Sequence, residues 1–514
     1  MGIESMSSLD ALETQIGSML ARLKLGDVMR SLWLLSQEST GLNPFMIAGL
    51  SMFAMRFCPP SKTSQLIKSC NIAPLINLSN EYLLGDPITF DESLREEFES
   101  SNPAFLVLRI VSIQFPYEVE VFSEFARPFY LYYEIPRQLH GQPGIPDFDF
   151  ESTFLGLHGF TTLDFITTGF VVYAASKSGF SLSRDYLLNA RKKGIKLPAP
   201  KILRLILDQL SADKVKFTSL YEKRKNLDRR FRMYDFNPLI SYPLIKPCQN
   251  MQFATSGKDF FHSPVPGLIG SRISAGIFYD MYNAHSTASG NIFSEFFGYV
   301  FEAYVGLVLK NCIKTETLLS EVDIRKFYPS NKGKVSDWIW MDGSSLILIE
   351  CKATRFSRAA QSIASEEAVN SSLAQVRKGL KQLHGFMSAC CSKSQELAMF
   401  HKCSTFRPIL VTLEPLHLVN NTFFREHING LLAQDGITGM DWQILSVDEL
   451  EALQPHLATG FKLIQVLNDL QTKTFNKVLD GLVSRSQKSF VDSFLYQKQQ
   501  ELYCRLGLRQ ATYQ

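Results

Sequence analysis

Residues 346–353, Leu-Ile-Leu-Ile-Glu-Cys-Lys-Ala, restrict the folding of this chain more than any other stretch. Apolar residues on both alternating faces describe a central strand covered above and below. Two charged residues interrupt it. Side chains alternate along a strand, so Glu350 and Lys352 share one face and Cys351 points to the other. Burying a carboxylate and an ammonium is costly unless they pair or bind a metal. Just upstream, Asp342-Gly343 is a strong hairpin signal. Folding a strand over 335–341 back through that turn brings Asp337 beside Glu350, so two carboxylates and a lysine converge.

A lone Glu-x-Lys is uninformative, and its bland reading is a structural ion pair. Here it coincides with a central strand, an aspartate across a tight turn and a preceding helix that carries a carboxylate. Together these favour hydrolysis of a phosphodiester. Mg²⁺, or Mn²⁺ in its place, takes hard oxygen ligands, which Asp337, Glu350 and the main-chain carbonyl of Cys351 supply. Lys352 is then placed to position a water and to stabilise charge developing on the phosphate.

The flanking segments support an α/β reading. A helix over about 290–310 buries Phe293, Phe297, Phe301, Tyr304 and Val308 at steps of three and four, leaving Glu302 off the stripe. Strands are expected over 318–327, 335–341, 346–353, 406–413 and 442–447, with a helix opening at Asp448-Glu449-Leu450. Between the third and fourth strands, Val369, Leu373, Val376, Leu380, Leu383 and Met387 mark a helix, with Gln375 beside the stripe.

These residues resemble the PD-(D/E)XK nuclease superfamily, with its restriction-endonuclease-like fold. Ser336-Asp337 stands in place of the Pro-Asp pair, and Glu350-Cys351-Lys352 matches the second part of the motif. The resemblance spans roughly residues 290–450. It implies an α-β-β-β-α-β core, a mixed central sheet flanked by helices, and metal-dependent cleavage by Asp337, Glu350 and Lys352. It also implies that Glu302 is the carboxylate that many members carry on the helix before the first strand, a further metal ligand. Gln375 corresponds to a glutamine that reaches the active site in some branches. Arg355 and Arg358 follow the motif strand directly; they are phosphate-contact candidates, with solvated loop residues as the commoner reading.

The rest of the chain matches no family pattern. Residues 1–235 read as a mainly helical domain, with Leu9, Leu12, Ile16, Leu20 and Leu23 at helical spacing. The stretch 105–133 is open between strands and aromatic-rich helix, and 140–150 reads as a loop. The proline-rich run Asn237 to Pro247 suggests short extended segments and sets a boundary near 235, leaving 236–455 for the nuclease-like domain. Residues 456–514 read as a C-terminal helical packing or association element.

A formal net charge of +3 leaves any basic surface local. The densest basic cluster includes Lys223, Arg224, Lys225, Arg229 and Arg230. A solvated helix surface is its bland reading and phosphate contact its functional one. Nine cysteines without a CxxC pair argue against structural zinc or a disulfide framework and fit reduced thiols in the cytoplasm. The apolar runs 46–55 and 165–175 are shorter than the roughly 20 residues of a membrane span and read as buried helices. No Walker-type glycine loop is present, so ATP hydrolysis is not expected. The expectation is thus a Mg²⁺-dependent DNA endonuclease of restriction or anti-phage defence type, acting as a homodimer or with a partner subunit. The alternatives are RNA cleavage, ranked below DNA, and a catalytically silent module that binds nucleic acid or protein.

Overall fold

In the computed structural model, residues 8–37, 43–59, 72–85, 121–246, 260–287, 290–313, 317–329, 333–354, 366–392, 394–416, 420, 422–460, 462–471 and 492–508 are described. The N-terminal region is largely helical, and the C-terminal region combines a mixed sheet with helices.

Helices Ser8–Leu20, Leu25–Gln37, Pro44–Phe57 and Ala73–Leu84 pack around a core that holds Leu12, Ile16, Val28, Phe53 and Tyr82. Asn43 caps the third of these by accepting the Phe45 N–H, with Pro44 in the first turn, where its missing donor costs nothing. The expected 46–55 helix lies within it, and every residue from Phe45 to Met55 is buried. The question left open over 105–133 resolves as helix from Val121 onward, through a π turn at Tyr130–Glu134; residues 101–120 lie outside the described set. A loop follows from His140 to Asp149, and Asp149 caps helix Phe150–His158.

The helical half also holds a small sheet that periodicity did not announce. Its strands are β1 (Ser181–Ser183), β2 (Ser211–Ala212), β3 (Leu244–Ile245) and β4 (Phe260–His262), in the order β1-β4-β3-β2. Two of these strands precede residue 235 and two follow it, so the segment after the expected boundary folds with the helical half. The proline-rich run does supply a short extended piece, β3.

The second sheet has five strands in sequential order: β5 (Leu318–Ser320), β6 (Trp338–Asp342), β7 (Ser345–Lys352), β8 (Thr405–Thr412) and β9 (Gln443–Ser446). β5, β6 and β7 run antiparallel; β7, β8 and β9 run parallel. Asp342 pairs with Ser345, so the hairpin turns on Gly343-Ser344, and Gly343 adopts a left-handed φ of 63°. The strand expected over 318–327 is corrected to three residues. Ser320 and Asp323 form a reciprocal capping box that starts helix Glu321–Arg325 and ends the ladder.

Both faces of the sheet are covered. On one lies helix Ile292–Cys312, with Phe293, Phe297, Phe301, Tyr304 and Val308 all buried, in a core shared with Ile347, Ile349 and Cys351. On the other lies helix Glu366–Cys391, whose Val369, Leu373, Val376, Leu380 and Leu383 are buried with Leu346 and Leu348; Met387 is partly buried. Ser446 and Glu449 form a second capping box at the start of helix Val447–Ala458. Helix Ile292–Cys312 is long and apolar enough to cross a membrane, yet its apolar stripe is spent on this core.

The two halves share one continuous apolar core. Arg127, on helix Val121–Phe129, reaches Glu451 on helix Val447–Ala458 through Nε at 2.8 Å, and Tyr304 donates to the same Glu451 oxygen at 2.6 Å. The C-terminal helix Phe494–Leu506 returns to the helical half: Lys196 donates its N–H to the Leu506 carbonyl at 2.8 Å, and Tyr503 packs beside Phe125 and Phe170. The described cysteines are free thiols.

Candidate functional site

The β6–β7 register pairs Trp338 with Ile349, which sets Asp337 level with Glu350. Asp337 sits just before β6, where strand pairing has ended. Its Oδ2 accepts the Cys351 N–H at 2.6 Å, and its carbonyl accepts the Glu321 N–H at 2.8 Å. Its neighbour Trp338 packs against helix Ile292–Cys312 at Gly306, where even a Cβ would come within 1.9 Å of the indole. The same indole donates Nε1–H to the Glu302 carbonyl at 3.2 Å. Trp338 thus ties the Asp337 loop to the turn that bears Glu302.

Glu350 is fully buried and Lys352 mostly so, and the Lys352 ammonium meets Glu350 Oε1 at 2.5 Å. Glu350 Oε2 is buried without a hydrogen-bond partner. Gly379 lets helix Glu366–Cys391 lie close above the pair; a Cβ there would stand 3.4 Å from the Lys352 stem. Asp337, Glu350 and Lys352 therefore share the face under this helix. Glu302 approaches from the helix over the other face.

Burial is the main cause that raises the Glu302, Asp337 and Glu350 carboxyls above their ordinary range. Repulsion adds to it: Asp337 acts on Glu302 and Glu350, and Glu321 acts on all three. Lys352 opposes the rise at each, and the Cys351 N–H opposes it at Asp337. The Lys352 ammonium is held charged by Glu350 and Asp337 against the cost of its burial. Such a site gains from any added positive charge.

The cluster opens at the carboxyl end of β7 into a cleft of about 2370 Å³ that extends between the sheet and the helical half. Glu302, Glu321, Asp337, Glu350, Lys352, Gln375, Lys378 and Gln382 line it from one side and Arg224 from the other. Small-molecule pockets are usually about 300–1,000 Å³, and this cleft is larger.

All five residues expected to do chemistry, including Gln375, reach this cleft. Among the described residues, no group of three or more His, Cys, Asp or Glu side chains is arranged to hold a metal ion. The available donor set is Asp337, Glu350 and the Cys351 carbonyl, with Glu302 in electrostatic reach. That smaller set still suits Mg²⁺, which is commonly held by one or two carboxylates with waters and substrate oxygens completing its shell. The orphaned Glu350 oxygen fits the same ion.

The basic cluster behaves differently. Arg224 reaches the cleft and lies over the Phe236 ring at 4.9 Å. Lys225 pairs with Glu222 at 2.5 Å, and Lys223 is exposed. The side chains of Arg229 and Arg230, and all of Arg355 and Arg358, lie outside the described residues. Glu321 is the acidic residue that the sequence reading missed; the Ser320-x-x-Asp323 cap was the signal that ended the strand before it. Compared with family models, curated proteins and solved structures, the chain shows no match.

Proposed function

We propose that this chain is a metal-dependent nuclease with a restriction-endonuclease-like core, acting on DNA in preference to RNA. The observation that carries the reading is the arrangement of Asp337, Glu350 and Lys352 on one face, where β7 opens into a cleft of about 2370 Å³. The order of elements agrees with it: a helix, three antiparallel strands, a helix, then a parallel strand.

Asp337 and Glu350, with the Cys351 carbonyl, would hold Mg²⁺ or Mn²⁺. When bound, the ion polarises the scissile phosphate and makes its water more acidic. The Cys351 N–H fixes one Asp337 oxygen and leaves the other for the cleft. Lys352, held by Glu350, presents its ammonium where negative charge grows on the phosphate. Gln375 and Lys378 border the same space and can orient the chain on either side of the break.

A second reading, a silent binding module, draws on the Lys352–Glu350 pair, which satisfies one carboxylate oxygen without any cation. The test incubates plasmid DNA, circular single-stranded DNA and RNA with wild type, Glu350→Ala and Lys352→Ala, in Mg²⁺, Mn²⁺ or EDTA. Metal-dependent cutting that both substitutions abolish is expected. Equal cutting by wild type and Glu350→Ala sinks the nuclease assignment. Calorimetry separates the second reading: a silent module does not lose Mg²⁺ affinity when Glu350 becomes Ala.

A further inference from the structure

Among the described residues, the large aromatic side chains that stand exposed are Tyr186, Tyr279, Tyr282 and Tyr299. Three of these four line the one cleft that holds the carboxylates. Tyr279 and Tyr282 are three apart on helix Ala275–His285, and Tyr299 lies one turn before Glu302 on helix Ile292–Cys312. Each is 41% exposed, although the helices beneath them are packed on Phe278, Phe293 and Phe297. Phe278 stacks on Tyr282, with ring centroids 5.8 Å apart. Half-exposed rings in a cleft are surfaces for flat apolar groups.

The charge on the cleft walls is divided. The tyrosine wall carries Glu295, which repels phosphates, and Asp280, whose charge is met by Arg272 at 2.7 Å. Helix Glu366–Cys391 presents Lys378 and Gln382 to the cleft, and these two residues also line an adjoining groove of about 940 Å³. That groove brings Lys334, Arg377, Lys378 and Lys381 together against one carboxylate, Asp435, which Arg377 and Lys381 share at 2.7 and 3.0 Å. A ligand that satisfies both walls has flat neutral groups on one side and a run of anions on the other.

We infer that the cleft takes single-stranded nucleic acid, with unpaired bases stacked on Tyr282 and Tyr299 and the phosphate backbone led along Lys378 into the basic groove. Aromatic platforms beside a cationic track are the general solution for binding single strands. A duplex keeps its bases stacked inside and gives these rings nothing to pair with. The inference deepens the nuclease reading and rests on it only for what happens to the strand once bound.

The experiment measures anisotropy of labelled dT15, rU15 and a 15-base-pair duplex with the full chain in EDTA, where metal-dependent cutting is stopped. Single strands are expected to bind at least about tenfold more tightly than the duplex. Tyr282→Ser and Tyr299→Ser should each weaken single-strand binding roughly tenfold, in keeping with the loss of one stacked base, and leave the duplex unchanged. Tyr282→Phe and Tyr299→Phe should restore it, which separates stacking from a folding defect. Lys378→Ala with Lys381→Ala should weaken all three probes and flatten the salt dependence. The dT15 and rU15 arms decide which backbone is preferred. Duplex binding equal to or tighter than single-strand binding, or serine variants that bind like wild type, overturns the inference. Cleavage is scored separately: tyrosine-dependent binding of single strands without any metal-dependent cutting removes the nuclease reading and leaves this one standing.

Discussion

The Asp337 carboxylate accepts the main-chain N–H of Cys351 at 2.6 Å, and so closes the hairpin one residue beyond its last strand pair. One bond thus joins Asp337 to the strand that carries Glu350 and Lys352. Asp337→Asn keeps an acceptor for that N–H, so its stability should stay within about 1 kcal/mol of wild type while metal-dependent cleavage is lost. Asp337→Leu leaves the buried N–H unsatisfied and should cost about 1–3 kcal/mol in addition. Urea denaturation run beside the cleavage assay checks both. An Asn variant as active as wild type would remove Asp337 from the chemistry.

Gly306 carries no reactive group, yet the site depends on it. A Cβ there would overlap the Trp338 indole, whose nearest atoms lie 1.9 and 2.6 Å away. The ring is enclosed by the core and has little room to shift. Gly306→Ala should destabilise the chain by about 1–3 kcal/mol, the usual cost of overpacking, despite the better helix propensity of alanine. Trp338 leads directly into Asp337, so cleavage should fall more than the folded fraction does. Thermal unfolding and specific activity per folded molecule measure the two effects. Unchanged stability would show that the indole has another place to go.

His262 gives the fold an acid limit. It is buried on β4, stacked on Phe180 at 4.8 Å and in contact with Ser181 Oγ through Nδ1 at 3.0 Å. Burial lowers its imidazole from 6.5 to about 4. The unfolded chain therefore binds the proton more readily between those values. The stability linked to this residue is complete above about pH 6.5 and is lost as pH falls toward 4, by at most about 3 kcal/mol. His262→Gln stays neutral throughout, so its denaturation midpoint should fall less steeply than that of wild type between pH 6.5 and 4. Identical slopes would exclude His262 as the source.

The hairpin was legible because its signals are local. Asp342-Gly343 marked the turn, and strict alternation from Leu346 to Lys352 set which side chains share a face. The aromatic stripe from Phe293 to Val308 and the stripe from Val369 to Leu383 named the two covering helices in the same way. The small sheet was not legible, because Ser211 pairs with Leu244 and Ser181 with His262 in strands of two and three residues, too short to show a period. Glu321 was hidden inside a run that read as strand until the Ser320 cap turned it into helix.

The sequence by itself determined that Glu350 and Lys352 would be buried on one face with Asp337 beside them, since strand alternation and a two-residue turn are properties of adjacent residues. Only the tertiary structure decided what that cluster faces. The approach of Glu302 rests on Trp338 meeting Gly306. Tyr282 and Tyr299 stay half-exposed in the cleft because Phe278, Phe293 and Phe297 of the same two helices fill the core beneath them. The cleft itself is the space between a sheet and helices far apart in the chain, held in place by long-range contacts such as Arg127 with Glu451. Such contacts depend on the whole packed core, and no local spacing encodes them.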